Sequence, residues 1–343
     1  MIVRNEPLKE FAKTVFERVG MPPEDAEIQA DVLVWANLRG VDSHGVLRIP
    51  WYVENVDKKI MNPRPNIRVL AETPAVIYYE GDLAFGPIPT VAAMQRCIEK
   101  ARVVGIGWAL IRNITHQGAM AYYALMAARA GMAGMAIVCN PPNMAPHGAR
   151  VAGVHNSPIA IAVPGKRRKP LCLDMATSIA ARGKLDLAID KGISIPGEWA
   201  LDKDGNPCTD PKRAACITPA GGPKGSGLAI MFECLTSLMA GNPLLSPAHQ
   251  KKPGATIHRQ NSVVAAINIA TFTDLEAYRE NADILGDGLK ALPTVRGVSE
   301  VMLPGEPEDR VYEERLKQGI PLPEGTVNNL RQVGDRFGVK LPF

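Results

Sequence analysis

The sequence predicts an α/β protein in which helices from both ends of the chain form one domain around a central sheet. Strand-like apolar runs alternate with helical stretches from about residue 66 onward, whereas residues before 66 and after 274 are mainly helical or loop-like in pattern. The 343 residues suffice for one large or two medium domains. We therefore predict a helical domain of residues 1–65 and 275–343 and a central α/β domain of residues 66–274.

The helices and strands follow from the spacing of apolar residues. Two N-terminal helices are predicted over residues 7–19 and 24–39, and the apolar residues at positions 28, 32, 35 and 38 fall near one packing face of the second. Two further helices are predicted over residues 89–103 and 119–129. Strands are predicted over residues 67–70, 75–79, 107–112, 134–140, 157–163, 170–175 and 262–271.

The charge pattern argues against nucleic-acid binding. The formal net charge is only +4, and the one short basic run, residues 166–169, has no interleaved aromatic residues. This run follows an apolar stretch and lies between two prolines, so we interpret it as a hairpin turn whose alternative use is to attract phosphates.

Cysteine usage and hydropathy indicate a cytoplasmic protein. The six cysteines show no Cys-x-x-Cys spacing and no Cys/His cluster of the zinc type, so we predict reduced thiols and no metal site. No apolar signal core follows the first residues, and no segment approaches the ~20 apolar residues of a membrane span. We expect neither membrane insertion nor a membrane partner.

Two histidine segments suggest acid/base chemistry on a small carboxylic acid. His44 and Arg48 occur in Asp-Ser-His-Gly-Val-Leu-Arg, and His116 occurs in Asn-Ile-Thr-His-Gln-Gly. An imidazole titrates at roughly 6.5 and can exchange a proton with a carbonyl oxygen, while an arginine can hold a carboxylate through two hydrogen bonds. If a helical turn begins at Ser43, His44 and Arg48 share one side of it; the alternative is a turn histidine and a surface cation.

Two other segments carry polar groups at the ends of predicted elements. The glycine-rich segment at residues 221–227 opens a helix and contains Lys224, a combination suited to phosphate binding. Asp174 ends a predicted strand and could orient His44 or His116, bind a ribose hydroxyl, or cap a helix. The dinucleotide signature Gly-x-Gly-x-x-Gly is absent, which argues against a Rossmann domain.

Six motifs together resemble those of the malate/L-lactate dehydrogenase family, which also includes ureidoglycolate and sulfolactate dehydrogenases and piperideine-2-carboxylate reductases. The resemblance extends from about residue 5 to residue 306. The motifs occur in the family's order at residues 42–48, 113–118, 156–160, 173–178, 195–200 and 222–229.

The resemblance implies NAD(P)H-dependent reduction of a 2-oxo acid in a non-Rossmann fold with a central mixed sheet, usually as a homodimer. It implies that His44 is the proton donor, that Arg48 binds the substrate carboxylate, and that His116 is the second histidine that some members use instead. It leaves NAD and NADP open, with Arg167, Arg168 and Lys169 available for a 2′-phosphate. The cofactor-contacting positions that it implies are Ser43, Arg168, Asp174, Met175, Ala176, Thr177, Lys224, Gly225, Pro304, Gly305 and Glu306.

The chain also departs from the family pattern. The turn that begins at Asn140 stands where many relatives have a turn that is rich in Thr and Ser or contains Asp. His147 stands where relatives often have an aromatic residue, and His155 where they often have glycine. His147 and Arg150 could favour a diacid or a bulkier acid, or could belong to a surface loop. Reduction of a cyclic imine and loss of catalysis in a dinucleotide-binding scaffold remain the alternatives to the 2-oxo acid reaction.

Overall fold

The structure is a computed structural model that describes residues 1–342, except for the side chains of residues 186, 187, 190 and 191. Its α-helices are α1 Asn5–Arg18, α2 Pro23–Leu38, α3 Ile49–Asp57, α4 Pro87–Val104, α5 Ala121–Arg129, α6 Arg182–Lys191, α7 Pro223–Glu233, α8 Leu245–His249, α9 Leu275–Lys290, α10 Glu306–Gln318 and α11 Glu324–Phe337. None of these helices is long and apolar enough to cross a membrane.

The strands are β1 Ile2–Val3, β2 Arg68–Glu72, β3 Val76–Glu80, β4 Ile106–Ile114, β5 Met132–Cys139, β6 Ile159–Val163, β7 Leu171–Met175, β8 Ala200–Leu201, β9 Cys216–Ile217, β10 Gln260–Asn268 and β11 Ile320–Pro321. Seven of them form one sheet in the order β2-β3-β4-β10-β5-β6-β7. β3 and β4 are parallel and the other neighbours are antiparallel, so the predicted α/β fold with a mixed sheet is confirmed.

The central strands are apolar on both faces because helices cover both. Ala109, Ile111 and Val264 are fully buried. α4 and α5 pack against β4, β10 and β5 on one side, and α7 with the π-helical turn Cys234–Leu238 also contacts the sheet. Covering both faces of a sheet favours the continuous apolar runs from which the strands were predicted.

The predicted strands lie within a few residues of the observed ones, and the largest difference is at β10. This strand ends at Asn268, where residues 262–271 were predicted to be extended, because Ile269–Thr271 forms a 3-10 turn. The Asn268 side chain accepts a hydrogen bond from the Ala270 amide at 3.1 Å, which favours the turn over continued pairing. Residues 166–169 connect the antiparallel strands β6 and β7, as the predicted hairpin turn requires.

Helices from both ends of the chain share a core. Phe16 of α1, Tyr52 of α3 and Leu330 of α11 are fully buried in it, and β1 pairs with β11. α9 also makes contacts away from this core, because Asp283 accepts hydrogen bonds from the backbone amides of residues 166–168 in the β6–β7 turn. The predicted domain boundaries remain a prediction.

The strand directions bring distant segments to one edge of the sheet. β4 and β5 end at the edge where the antiparallel strand β10 begins, and β6 begins and β7 ends at this same edge. Residues that follow β4, β5 and β7 therefore lie near residues that precede β6 and β10. His116, Asn140, His155, Thr177 and His258 occupy such positions.

Candidate active site

Three histidines lie together at this edge. The rings of His44 and His116 are stacked, with centroids 5.4 Å apart and planes 21° apart, and the ring of His258 is 6.2 Å from that of His116. His44 and His116 were predicted from their motifs, whereas His258 was missed. Its one signal in the sequence is its place two residues before the strand that pairs with β4. Among the side chains that the structure describes, no group of three His, Cys, Asp or Glu residues has an arrangement that could hold a metal ion.

His44 and Arg48 lie in separate 3-10 turns, Asp42–His44 and Val46–Arg48, and the predicted single helical turn is wrong. Gly45 between them is extended, with φ −91° and ψ −156°. It lies against α2, because a Cβ at Gly45 would be 2.2 Å from Asn37 Oδ1. Arg48 nevertheless returns toward the histidine, since its Nε donates a hydrogen bond to the Ser43 carbonyl at 2.7 Å.

Arg48 is a half-buried cation with no carboxylate at ion-pair distance in the described part of the chain. Burial is the largest cause that lowers the pKa of His44, His116 and His258, and the positive charge of Arg48 lowers these three pKa values further. A cation of this kind, surrounded by neutral polar rings, is a suitable binding site for an anion. The geometry thus brings a cation that is able to bind a carboxylate beside His44 and His116, the histidines predicted to exchange the proton.

Each of the three imidazoles is held through its Nδ1 atom. The partners are Ser43 Oγ for His44 at 2.9 Å, Tyr52 Oη for His116 at 2.6 Å and Asn140 Nδ2 for His258 at 3.0 Å. Burial lowers the pKa of His44 and of His258 to about 4, and it lowers the pKa of His116 well below its usual value. All three rings are therefore neutral near pH 7, and their orientation is fixed from the Nδ1 side.

Two aromatic residues at the start of α3 complete this group and were not predicted from the sequence. Trp51 places its ring 5.1 Å from that of His258 and 5.8 Å from that of His116. Tyr52 is fully buried, and burial raises the pKa of its hydroxyl, so it stays protonated beside His116. The signal available in the sequence was that both residues closely follow Arg48. Pro50 suits the first turn of a helix, so α3 begins directly after Arg48 and carries Trp51 and Tyr52.

Asp174 occupies a helix-capping position, and a helix cap is one of the roles that the sequence left open for it. Its Oδ2 accepts a hydrogen bond from the Ala121 amide at 2.8 Å, at the first residue of α5. A carboxylate is favourable there because helix N-termini carry unpaired amides and partial positive charge. The residue is exposed, but its carboxyl is surrounded by protein atoms, and this desolvation raises the pKa of Asp174 to about 6.

The glycine-rich segment joins the end of β7 through backbone contacts. A Cβ at Gly225 would be 2.2 Å from the Thr177 carbonyl oxygen, so only glycine fits there. The Thr177 carbonyl accepts the Ala220 amide at 2.9 Å, and the Gly225 amide donates to the Ala220 carbonyl at 2.8 Å. Thr177 Oγ1 is buried without a hydrogen-bond partner in the described chain. Lys224 is exposed in the first turn of α7, beside the helix-start amides that suit a phosphate.

The remaining predicted cofactor positions flank β7. Met175 and Ala176 are half-buried at its end, beside Thr177. Near its start, the Cys172 amide donates to the Pro304 carbonyl at 3.0 Å, and Gly305 has φ +86°. A pocket of about 200 Å³ is lined there by Arg168, Leu171, Pro304, Glu306 and Arg310, among other residues.

The charged groups at this pocket are paired with one another. Lys290 and Arg310 hold the Glu306 carboxylate at 2.8 and 2.7 Å and, against its burial, lower its pKa to about 2. Arg167 and Arg168 both form ion pairs with Asp287, and Lys169 pairs with Glu313 at 2.5 Å. The basic run is therefore neutralised by carboxylates of α9 and α10.

The residues that depart from the family pattern fall in two places. His147 is exposed beside the glycine-rich segment, where a Cβ at Gly222 would be 3.1 Å from its Nδ1, and Arg150 contacts Gly205. His155 is buried, and its Nδ1 is 3.3 Å from Ser157 Oγ. Burial, with a smaller effect of His258, lowers the pKa of His155 to about 3.

The sequence of the chain is similar to those of known dehydrogenases. The chain matches the model of the malate/L-lactate dehydrogenase family over residues 3–331. It is 36% identical to the L-sulfolactate dehydrogenase of Methanocaldococcus jannaschii, over 99% of this chain and 98% of that protein. It is 30% identical to the ureidoglycolate dehydrogenase (NAD(+)) of Escherichia coli, over 94% of this chain and 93% of that protein.

Solved structures of similar proteins superimpose on nearly the whole chain. The malate dehydrogenase of Entamoeba histolytica superimposes with a TM-score of 0.95 at 28% identity, covering 100% of this chain and 99% of that one. The Δ1-piperideine-2-carboxylate reductase of Pseudomonas syringae pathovar tomato superimposes with a TM-score of 0.86 at 25% identity, covering 97% of this chain and 99% of that one.

Proposed function

The chain belongs to the malate/L-lactate dehydrogenase family, and from its site we propose that it transfers a hydride between a nicotinamide dinucleotide and C2 of a small 2-oxo or 2-hydroxy acid. The observation that carries this proposal is Arg48, which has no carboxylate partner in the described chain and lies beside the stacked rings of His44 and His116. Relatives that are at least 30% identical are named as hydroxy acid dehydrogenases, which favours this reaction over cyclic-imine reduction.

Arg48 would bind the C1 carboxylate and thereby fix the position of C2. A bidentate guanidinium–carboxylate pair restricts a small acid to one plane and orientation. Ser43 supports this arrangement twice, since its carbonyl accepts Arg48 Nε and its hydroxyl contacts His44 Nδ1. The same short segment thus positions both the anchor and the proton donor.

His44 would exchange a proton with the C2 oxygen. In the free enzyme its pKa is about 4, partly because of the Arg48 charge. A bound carboxylate offsets that charge, so we expect the pKa of His44 to rise when a 2-oxo acid binds, which favours the protonated donor needed for reduction. In the oxidising direction the neutral ring can accept the hydroxyl proton directly.

The dinucleotide would lie along β7 and the glycine-rich segment. Three features fit it: Thr177 Oγ1, which has no hydrogen-bond partner among the described residues, the close backbone approach at Gly225, and the exposed Lys224 at a helix N-terminus. Ser43, Asp174, Met175, Ala176, Arg168 and the turn at residues 304–306 are the further proposed contacts. The bound dinucleotide would supply or accept the hydride.

We propose NAD over NADP. Arg167, Arg168 and Lys169 are the cations that could hold a 2′-phosphate, but each is already paired with Asp287 or Glu313. The 2′-phosphate of NADP would have to compete with those carboxylates for the three cations. We also propose a cytoplasmic location, which cell fractionation would test.

A homodimer is proposed on the basis of an apolar stripe along α7 and the turn that follows it. Leu228, Met231 and Leu238, spaced at helical intervals, are 42%, 54% and 51% exposed. Exposed apolar side chains in a continuous stripe are typical of protein interfaces. Light scattering coupled to size-exclusion chromatography would test this, with a mass near 36.9 kDa contradicting the dimer.

The test of the reaction is the absorbance of NADH and, separately, NADPH with purified protein and a panel of 2-oxo acids and cyclic imines. We expect turnover with a 2-oxo acid and NADH, and its collapse in His44→Ala with NADH binding retained. Turnover with imines alone would reject the proposal. Cofactor binding without turnover of any compound would indicate a scaffold protein.

A further inference from the structure

His258 is held in one orientation and one tautomer by its neighbour Asn140. The Asn140 Oδ1 atom accepts a hydrogen bond from the Arg259 amide at 3.2 Å, which fixes the side-chain amide so that its Nδ2 faces His258 Nδ1 at 3.0 Å. An amide NH2 group only donates, so Nδ1 of His258 is the acceptor. A neutral His258 therefore carries its proton on Nε2.

That Nε2–H group is buried and has no hydrogen-bond partner in the described chain. A buried donor without an acceptor is costly and uncommon in folded proteins. A donor of this kind in a candidate active site, near Arg48, for which the described side chains supply no carboxylate partner, points to an acceptor supplied by a ligand. Because Nε2 already carries a proton, it can donate a hydrogen bond but cannot serve as the base.

The position of His258 separates it from the proton donor. His116 is in ring contact with both His44 and His258, whereas His44 and His258 make no ring contact with each other among the described residues. An acid held by Arg48 with its C2 oxygen at His44 would therefore present a different part of its chain to His258. Arg259 adds a second positive charge next to His258 in the chain, and its buried Nε also has no hydrogen-bond partner among the described residues.

We propose that His258 is a substrate-binding residue whose Nε2–H donates a hydrogen bond to an anionic group carried on C3 of the substrate. The substrate class is then a 2-oxo acid with a second acidic group, a carboxylate or a sulfonate, and Asn140 is the positioning residue that fixes the donor. This inference rests on the proposed function of the site, and it adds which 2-oxo acids the site would prefer.

The experiment compares oxaloacetate with 2-oxobutanoate, which has the same chain length and a methyl group in place of the second carboxylate. The wild type should prefer oxaloacetate in kcat/KM. In His258→Ala the KM for oxaloacetate should rise by about tenfold to a hundredfold, as expected for loss of a hydrogen bond to a charged acceptor. The kcat/KM for 2-oxobutanoate should change by less than about threefold.

Two further variants strengthen the comparison. His258→Gln retains an N–H donor at similar reach and should recover part of the oxaloacetate preference. His249→Ala removes an exposed imidazole outside the site, whose Nε2 contacts the Gly153 carbonyl, and should leave both substrates unaffected. Circular dichroism would verify that each variant is folded.

The outcomes separate this inference from the function on which it rests. A wild type that turns over no 2-oxo acid rejects the proposed function. A wild type that uses both acids equally well, or a His258→Ala variant that loses the same factor on both, overturns the role of His258 while the reaction stands. If His258→Ala fails to fold, the kcat/KM values of the wild type and of His258→Gln for oxaloacetate and 2-oxobutanoate still test the role of His258.

Discussion

Replacing Gly225 with alanine should test the contact that joins the glycine-rich segment to β7. The added Cβ would lie 2.2 Å from the Thr177 carbonyl oxygen and 2.7 Å from backbone atoms of Ala220, whereas ordinary contact begins at 3.4 Å. The obstructing atoms are all backbone, so no flexible side chain can move aside. The two segments must separate by roughly 1 Å.

The magnitude follows from three effects. Overpacking costs about 1–3 kcal/mol. Stretching one of the two hydrogen bonds at Ala220 costs about 1–3 kcal/mol more if a buried group is left unpaired. The better helix propensity of alanine returns up to about 1 kcal/mol. We expect a net loss of about 1–6 kcal/mol, which for a chain of this length lowers Tm by about 1–8 °C if it unfolds as one unit.

The assay is thermal unfolding by circular dichroism, with Gly227→Ala as the matched control on the same helix. A Cβ at Gly227 meets nothing within 4 Å, so this change should leave Tm unchanged or raise it slightly. We also expect Gly225→Ala to weaken NADH binding at least tenfold in a calorimetric titration, because the loop is displaced. Equal Tm values for the two variants would refute the steric argument.

Three further results are expected. Tyr52→Phe removes the hydroxyl that contacts His116 Nδ1 and should lower kcat by about tenfold with little change in KM, as steady-state kinetics would show; an unchanged kcat would mean that His116 needs no such support. Arg48→Met should raise the KM of any 2-oxo acid by at least tenfold while NADH binding in a fluorescence titration stays the same, and equal loss of both would contradict a substrate role. Because the pKa of His155 is about 3 in the folded chain and about 6.5 when unfolded, the unfolded state binds more protons between these pH values, and stability should fall as pH is lowered through that window. His155→Gln should show a shallower fall of Tm between pH 7 and pH 4, and parallel curves would reject this assignment.

The sequence predicted the elements well because the signals are local. β4, β5 and β10 each contain a continuous apolar run, because both faces of the sheet are covered. His44 and His116 were found because each lies in a compact motif. Their stacking could not be foreseen, because it depends on how the α2–α3 connection meets the end of β4.

The missed features all depend on topology. His258 lies in no motif, its place just before β10 is its one signal in the sequence, and it reaches His116 because β10 pairs antiparallel with β4. The separate turns of His44 and Arg48 follow from the close approach of Gly45 to the Asn37 side chain of α2. The sequence left several roles open for Asp174, a helix cap among them, and its contact with the Ala121 amide could not be selected because it depends on β7 and α5 being neighbours in space.

The central place of β10 has a consequence for how the chain folds during synthesis. Its residues 260–268 are made after all other strands of the large sheet, yet they pair with β4 on one side and β5 on the other. Until they emerge, β4 and β5 each expose an unpaired strand edge, which makes the nascent chain prone to aggregation. The same late pairing brings His258 to His116, so the candidate active site is assembled in the step that closes the sheet.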